Sequence, residues 1–371
     1  MYFCVNDLQN NECKEYFTEP QIVGTYCFDG NRCYHSDLSQ LKYYKEPRNL
    51  NNVDFNLDDN LNTIQKLDNI NKKIDYLLKW ISENFNHLQM ERSKNRRWLE
   101  PEFVCYRGVL SNLLATPFDS RDGWIICASK FKGTIYLCGF DTDKKKRYEI
   151  NKNEFHKRCT SWGYKFEQYL VSDSPSENPD LSKPLNQNEE FCCVFKSRLG
   201  NNILLYGAEV DAVCSEHPIQ DTLIGKKVEL VEMKTMHHNA LNLYKNSIAS
   251  YRAHRTLKWW VQSYLVGIDK IICGLRDNNG IVHSIQKFNL NKLVKDSKHD
   301  WNPEGCTSFC TGLLERMKAV ISQNYDKCLY KFTYIPGKNT ITVEELKPTP
   351  DLEYVFLHPW YITKANQYFE K

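Results

Sequence analysis

The stretch Asn201–Thr235, NNILLYGAEVDAVCSEHPIQDTLIGKKVELVEMKT, decides how the rest of the chain is read. It reads as two strands joined by an irregular loop, and both strands carry charge where a buried strand should be apolar. Glu209 and Asp211 are two apart, so strand alternation places both side chains on one face. Glu232 and Lys234 share a face for the same reason, along with Val228 and Leu230. If the strands are neighbours, three carboxylates and one ammonium converge on one patch. Like charges packed that closely are costly unless a cation neutralises them. The economical explanation is a divalent metal site, with Lys234 beside it to handle an anionic substrate or a water. A lone Glu-x-Lys is usually an ordinary solvated ion pair; Glu-x-Asp followed about twenty residues later by Glu-x-Lys is much more specific.

Working outward, 371 residues are enough for one large domain or two small ones. Hydrophobic content of 41% with 13% aromatic residues excludes a disordered chain. With 26% charged residues and a net charge of only +3, any nucleic-acid-binding surface must be local. No apolar run approaches the ~18 residues of a membrane span. The N-terminal MYFCVNDLQNNECKEYF lacks a basic-then-apolar signal, so the expected location is inside the cell. The 15 cysteines include no C-x-x-C pair, which argues against zinc knuckles and for small buried hydrophobes.

Along the chain, apolar residues from Leu61 to Ile81 recur at three and four, predicting an amphipathic helix that ends near Asn84. Arg107 follows a strand-like run and precedes Gly108. WIICASKFKGTIYLCGF reads as a hairpin turning at Lys132-Gly133. Lys144–Arg147 reads as a solvated turn rather than a nuclear address. Asn151 to Trp162 looks helical, and Gly163 then opens GYKFEQYLV, where Glu167 sits in an apolar-aromatic run and wants a partner. Ser172–Glu190 reads as a mobile loop. FCCVFKSRLG turns back at Asn201 into the Glu209 strand, setting Lys196 and Arg198 on its neighbour. A long helix, roughly Leu241 to Val266, follows the Lys234 strand, with Arg255, Lys258 and Gln262 on a face set against the site. Further on come a hairpin turning at Asp277–Gly280, a helix over 306–322, a last strand pair and an extended, aromatic-anchored C-terminal EYVFLHPWYI.

The order Asp…Glu-x-Lys resembles the metal-dependent nucleases built around a PD-(D/E)xK core. More specifically, the chain resembles the DXO family of RNA 5′-end decapping exonucleases. The residues that carry the likeness are Arg107 in CYRG, Gly163-Tyr-Lys-Phe-Glu167, Glu209-Val-Asp211, Glu232-Met-Lys234 and Gln262 in KWWVQS. Lys165 departs from the family's apolar preference. VGTYCFDGNRCYHSDLSQLKYYKEP, FKSRLG, WNPEGC and HPWYI extend the likeness over nearly the whole chain.

That resemblance implies an α+β fold: a single domain over residues 1–371, two mixed β-sheets flanked by helices, and a PD-(D/E)xK-nuclease-like core. It implies hydrolysis at RNA 5′ ends with Mg²⁺ or Mn²⁺, two ions per site. Incomplete caps, nicotinamide-type caps and 5′ triphosphate would be removed, with 5′–3′ exoribonuclease activity. Glu167, Asp211 and Glu232 would bind metal directly, the Met233 carbonyl would complete the shell and Glu209 would act through water. Lys234 would polarise the attacking water, Gln262 would orient water or phosphate, and Arg107 would grip a substrate phosphate. Tyr106 would offer a stacking surface. Expected partners are a single-stranded RNA 5′ end and a 5′–3′ exoribonuclease, with no membrane, in the nucleus and to some extent the cytoplasm. A PD-(D/E)xK DNA nuclease would need only Asp211, Glu232 and Lys234; a catalytically silent RNA-end-binding module would need none of the carboxylates.

Overall fold

The computed structural model describes residues 1–9, 17–67, 73–90, 97–240 and 249–370. Two mixed sheets form its frame, one of ten strands and one of seven. In the larger sheet Glu190–Leu199 and Asn202–Glu209 make an antiparallel hairpin, with Leu199 opposite Asn202 and Cys192 opposite Glu209. The Glu209 strand also runs parallel to Phe103–Tyr106, Gly207 facing Tyr106. The chain then leaves this sheet through Val210 and Asp211 and enters the smaller one as Ala212–Cys214. That short strand is antiparallel to Glu229–His237, with Ala212 opposite Val231. Glu229–His237 in turn lies parallel to Lys270–Arg276, and helix Ala249–Tyr264 falls between the two in sequence.

Three apolar clusters hold these layers together. The largest joins one face of each sheet to helices Arg107–Ala115, Ala249–Tyr264 and Pro303–Val320, through residues such as Phe103, Leu113, Leu257, Cys273 and Phe309. Helices Asp75–Glu83 and Pro359–Phe369 cover the outer face of the larger sheet, with Leu77, Ile81 and Tyr361 inward. Helix Glu154–Leu170 covers the outer face of the smaller one through Trp162, Phe166 and Leu170 at four-residue spacing. The architecture is an α+β single domain. No helix among the described residues is long and apolar enough to cross a membrane.

The Lys132-Gly133 and Asp277–Gly280 hairpins form as expected; φ is positive at Lys132, Gly133 and Gly280. Of 14 described cysteines, all free, ten are buried. Five expectations need correction, the first being that Lys144–Arg147 lies in helix Asp143–Ile150 and not in a turn. The stripe from Leu61 yields a single 3₁₀ turn, Leu61–Thr63, and a helix only over Asp75–Glu83, with 68–72 outside the described residues. Gly163 does not interrupt its helix, which runs unbroken from Glu154 to Leu170 and puts Glu167 on a helix. The C-terminal segment is helical from Pro359, which occupies the first turn where its missing N–H is harmless. The start of the helix predicted from Leu241 lies outside the described residues; its described part spans Ala249–Tyr264. The Ser172–Glu190 loop is pinned, its Asp173 pairing with Lys42 at 2.6 Å and its carbonyls of Asp180 and Lys183 taking the Gln168 amide.

Candidate active site

The crossing between sheets sets the geometry. Glu209 ends a strand of one sheet, and Asp211 immediately precedes a strand of the other. Asp211 is fixed by accepting a hydrogen bond at Oδ2 from the Met233 backbone N–H, 2.7 Å away. This bond ties the crossing to the strand that carries Glu232 and Lys234. Lys234 Nζ pairs with Glu232 Oε1, and Arg107 Nη1 lies 3.2 Å from Glu232 Oε2. Arg107 opens its helix directly after strand Phe103–Tyr106, so a fixed strand end aims the guanidinium. Glu167 arrives from the opposite side on its helix, three positions before Leu170 in the packed stripe. Lys165 fits there because its stem is buried while its ammonium reaches Gln168 Oε1 at 3.0 Å.

The charges interact strongly. Burial, followed by Glu190 and Asp211, pushes Glu209 up to about 8. Burial and then Glu232 push Asp211 up to about 7. Burial, then Asp211 and Glu209, raise Glu167 well above the ordinary carboxyl range. Glu209 opens onto the water of the cleft, so the like charges of its neighbours are the firmer cause there. Glu232, only 3% exposed, behaves oppositely: burial pushes it up, but Lys234 and Arg107 outweigh burial and hold it below the usual range. Burial would lower Lys234, yet Glu232 and Asp211 raise it, so it stays an ammonium at any physiological pH.

Two cavities flank the cluster, and Glu190 and Glu209 stand on the wall between them. One, of 770 Å³, is basic and aromatic, with Arg32, Lys66, Arg107, Phe28, Tyr76 and Tyr106 among its lining. Tyr106 is half-buried rather than freely exposed. The other, of 1070 Å³, is lined by Glu167, Asp211 and the pinned loop.

The structure thus gathers Glu167, Glu209, Asp211, Glu232, Lys234 and Arg107. Gln262, on helix Ala249–Tyr264, is half-buried and lines neither cavity. On the same helix Lys258 turns away from the site, to Asp119 at 2.8 Å and Asp122 at 3.6 Å, whereas Arg255 lies within electrostatic reach of Cys273, the residue paired with Lys234. Lys196 also lies apart, paired with Glu100 at 3.0 Å. Two residues were missed in the sequence. Glu190 adds a further carboxylate beside Glu209 and pairs with Arg32 at 2.6 Å. Counting back from the Gly200–Asn201 turn would have put Cys192 opposite Glu209 and Glu190 one alternation away. Arg32 had no local signal. Away from this site, ligand atoms of Asp119, Asp122 and His254 lie within 4.8 Å of one another. There Lys258 and the N–H groups of Arg121 and Asp122 already satisfy Asp119, making an ion-pair network.

The fold and site agree with comparisons to known proteins. The model of the RAI1 like PD-(D/E)XK nuclease family matches residues 18–362. The "Decapping and exoribonuclease protein" of Bos taurus is 32% identical over 358 residues, covering 95% of this chain and 86% of that one. Its Homo sapiens namesake is 32% identical, with 95% and 87% covered. Among solved structures, Candida albicans Rai1 in complex with pU5–Mn²⁺ superposes with a TM-score of 0.79 at 20% identity, covering 97% of this chain and 98% of that one. Scheffersomyces stipitis Rai1 in complex with (3′-NADP)⁺ and calcium ion gives 0.79 at 17% identity over the same shares. Related structures therefore bind divalent ions. With the family model spanning most of its length and its carboxylates, lysine and arginine assembled on the expected frame, the chain belongs to the RAI1-like PD-(D/E)XK nuclease family.

Proposed function

We propose that the protein hydrolyses RNA 5′ ends with divalent metal, removing incomplete or nicotinamide-type caps and pyrophosphate from a 5′ triphosphate, and then degrades the RNA 5′ to 3′. The observation that carries this reading is the convergence of four carboxylates from three elements on one ammonium and one guanidinium, beside a basic, aromatic-lined cavity. The names of the bovine and human relatives support it, as do the RNA, nucleotide and metal ligands of the related Rai1 structures.

The donor set fits Mg²⁺ or Mn²⁺: acceptor-only oxygens are the hard ligands these ions take, and mutual repulsion among the carboxyls is what such cations offset. Glu167, Asp211 and Glu232 would hold two ions directly, Met233 through its carbonyl and Glu209 through water. When bound, the ions supply Lewis acidity that activates the attacking water and stabilises the leaving oxygen. The chain's own groups do the rest. Arg107, anchored by Glu232, presents its fork to the cavity to grip a substrate phosphate. Lys234, held protonated, takes no proton; it donates to water or phosphate oxygen and offsets developing negative charge. Gln262, assigned by its motif alone, would orient the water or the scissile phosphate. In the same reading, resting on family resemblance, the protein works mainly in the nucleus beside a 5′–3′ exoribonuclease; imaging of a tagged copy and co-precipitation test both points.

The direct test is a panel of RNAs with triphosphate, incomplete-cap and nicotinamide-type 5′ ends, incubated with Mn²⁺ and read by the mass of released products. Asp211→Ala and Glu232→Ala should release nothing while retaining the native circular-dichroism spectrum. Lys234→Ala should lower kcat by about 10²–10³-fold with Mn²⁺ affinity retained. Activity surviving in either carboxylate variant overturns the site, and preference for duplex DNA overturns the substrate class.

A further inference from the structure

The basic run Lys144–Arg147 is not used by the site, and the structure gives it an unusual setting. It lies in helix Asp143–Ile150, which contains no buried residue. The helix persists through its ends and its charges: Thr142 caps the Lys145 N–H, Lys145 pairs with Asp141 at 2.7 Å, and Lys146 with Glu353 at 3.5 Å. It turns directly into helix Glu154–Leu170, whose first residues are exposed as well. Between Asp143 and Arg158 seven Lys/Arg face three Asp/Glu, a local net charge of +4 against +3 for the whole chain. Apolar groups stand among these charges, with Tyr148 51%, Ile150 81% and Phe155 39% exposed. Single exposed apolar residues are ordinary, but here Tyr148 and Phe155 gather around His156, with ring centroids 6.2 and 5.9 Å away, as one aromatic patch set among the charges.

Position supplies the rest. Lys66 and Lys73 line the basic cavity. Lys73 Nζ lies 5.9 Å over the ring of Phe140, the residue before Asp141, which the hairpin's Lys145 grips. Lys66 lies within electrostatic reach of Glu154 at the start of the next helix. The two helices therefore stand beside Lys66 and Lys73, which line the same cavity as Arg107. The second helix delivers Glu167 thirteen residues on, about 20 Å at 1.5 Å per residue. That length spans about six stacked nucleotides at 3.4 Å each.

We infer that the helical hairpin Asp143–Arg158 is a second binding surface, taking the body of a single-stranded RNA whose 5′ end lies at the carboxylates. Lysines and Arg147 meet the phosphates, and Tyr148 and Phe155 stack on bases, the pairing of charge and aromatic surface that holds single strands without reading sequence. This rests on the function proposed above.

The test uses two variants, K144A/K146A/R147A and Y148A/F155A, both confined to exposed residues. Anisotropy of labelled oligouridylates, with chelator present so that nothing is cut, compares a strand of about 20 nucleotides with one of about 3. Each variant should bind the long strand roughly tenfold more weakly, and the lysine variant should lose about 2 from the slope of log affinity against log salt. Binding of the short strand and release of product from it in Mn²⁺ should be unchanged. Wild-type affinity for the long strand in both variants overturns the inference and gives the exposed surface to a protein partner. A wild-type protein whose long-strand binding falls in the variants, but which cuts no 5′ end, supports the hairpin and removes the proposed function. Cutting with affinity independent of length does the reverse.

Discussion

Asp211 joins the two halves of the site, because its carboxylate takes the Met233 amide while its backbone leads out of the Glu209 strand. Its proton affinity carries a measurable consequence. Asp211 is pushed up to about 7 by burial and then by Glu232, and Glu209 to about 8 by burial and the charges of Glu190 and Asp211, the charges being the firmer cause for a side chain that opens onto water. In the unfolded chain the same groups titrate near 3.9 and 4.3. Protons therefore bind the metal-free fold more tightly than the unfolded chain, and the stability they contribute fades as pH rises from about 4 through about 8. A divalent ion must displace those protons, so its stabilising effect grows over the same window. The rise in Tm produced by Mn²⁺ should be small at about pH 6 and should increase toward about pH 8.5. A rise that is flat with pH would take Asp211 and Glu209 out of the metal site. Lys234 contributes no limb to this profile, since its carboxylate neighbours keep it charged throughout.

At the scale of the element, helix Glu154–Leu170 can place Glu167 only because the smaller sheet lets it come close. A Cβ on Gly274 would lie 2.5 Å from Phe166 Cε2, and one on Gly280 2.8 Å from Trp162 Cε2. Gly274→Ala should push the helix outward, destabilise the fold by about 1–3 kcal/mol and lower kcat by displacing Glu167; thermal melts and the 5′-end assay read the two effects. Gly163, by contrast, is mid-helix and a Cβ there would meet nothing within 4 Å. Gly163→Ala should leave the fold as stable or more stable, by up to about 1 kcal/mol. If activity then falls while Tm rises, Gly163 is needed for the substrate and not for packing. Sequence reading was least secure at these elements. Gly163 suggested a break, yet the Trp162–Phe166–Leu170 stripe kept the helix going. The C-terminal aromatics suggested an extended anchor, although Pro359 was an available helix-start signal.

Across the whole molecule, what was legible was what local rules encode. The Lys132-Gly133 and Asp277–Gly280 turns carry glycines at positive φ between short runs rich in apolar and β-branched residues, so both hairpins could be read directly. The charges at Glu209, Asp211, Glu232 and Lys234 stood out against apolar runs. The Arg32–Glu190 pair did not, because its members are 158 residues apart and each looks like loop punctuation. The switch between sheets at Val210–Asp211 also lay beyond local pattern, since alternation continues through it unchanged. That switch has a further consequence. One dipeptide is shared by two sheets with separate strand ladders, and the acidic groups on either side of it belong to different ladders. An ion held directly by Asp211 and Glu232, and through water by Glu209, would act as a rivet between them, so neither ladder could open without releasing it. Native-state amide exchange should slow in concert at Cys192 and Val231 when Mn²⁺ is added, and slow independently, or not at all, in Asp211→Ala.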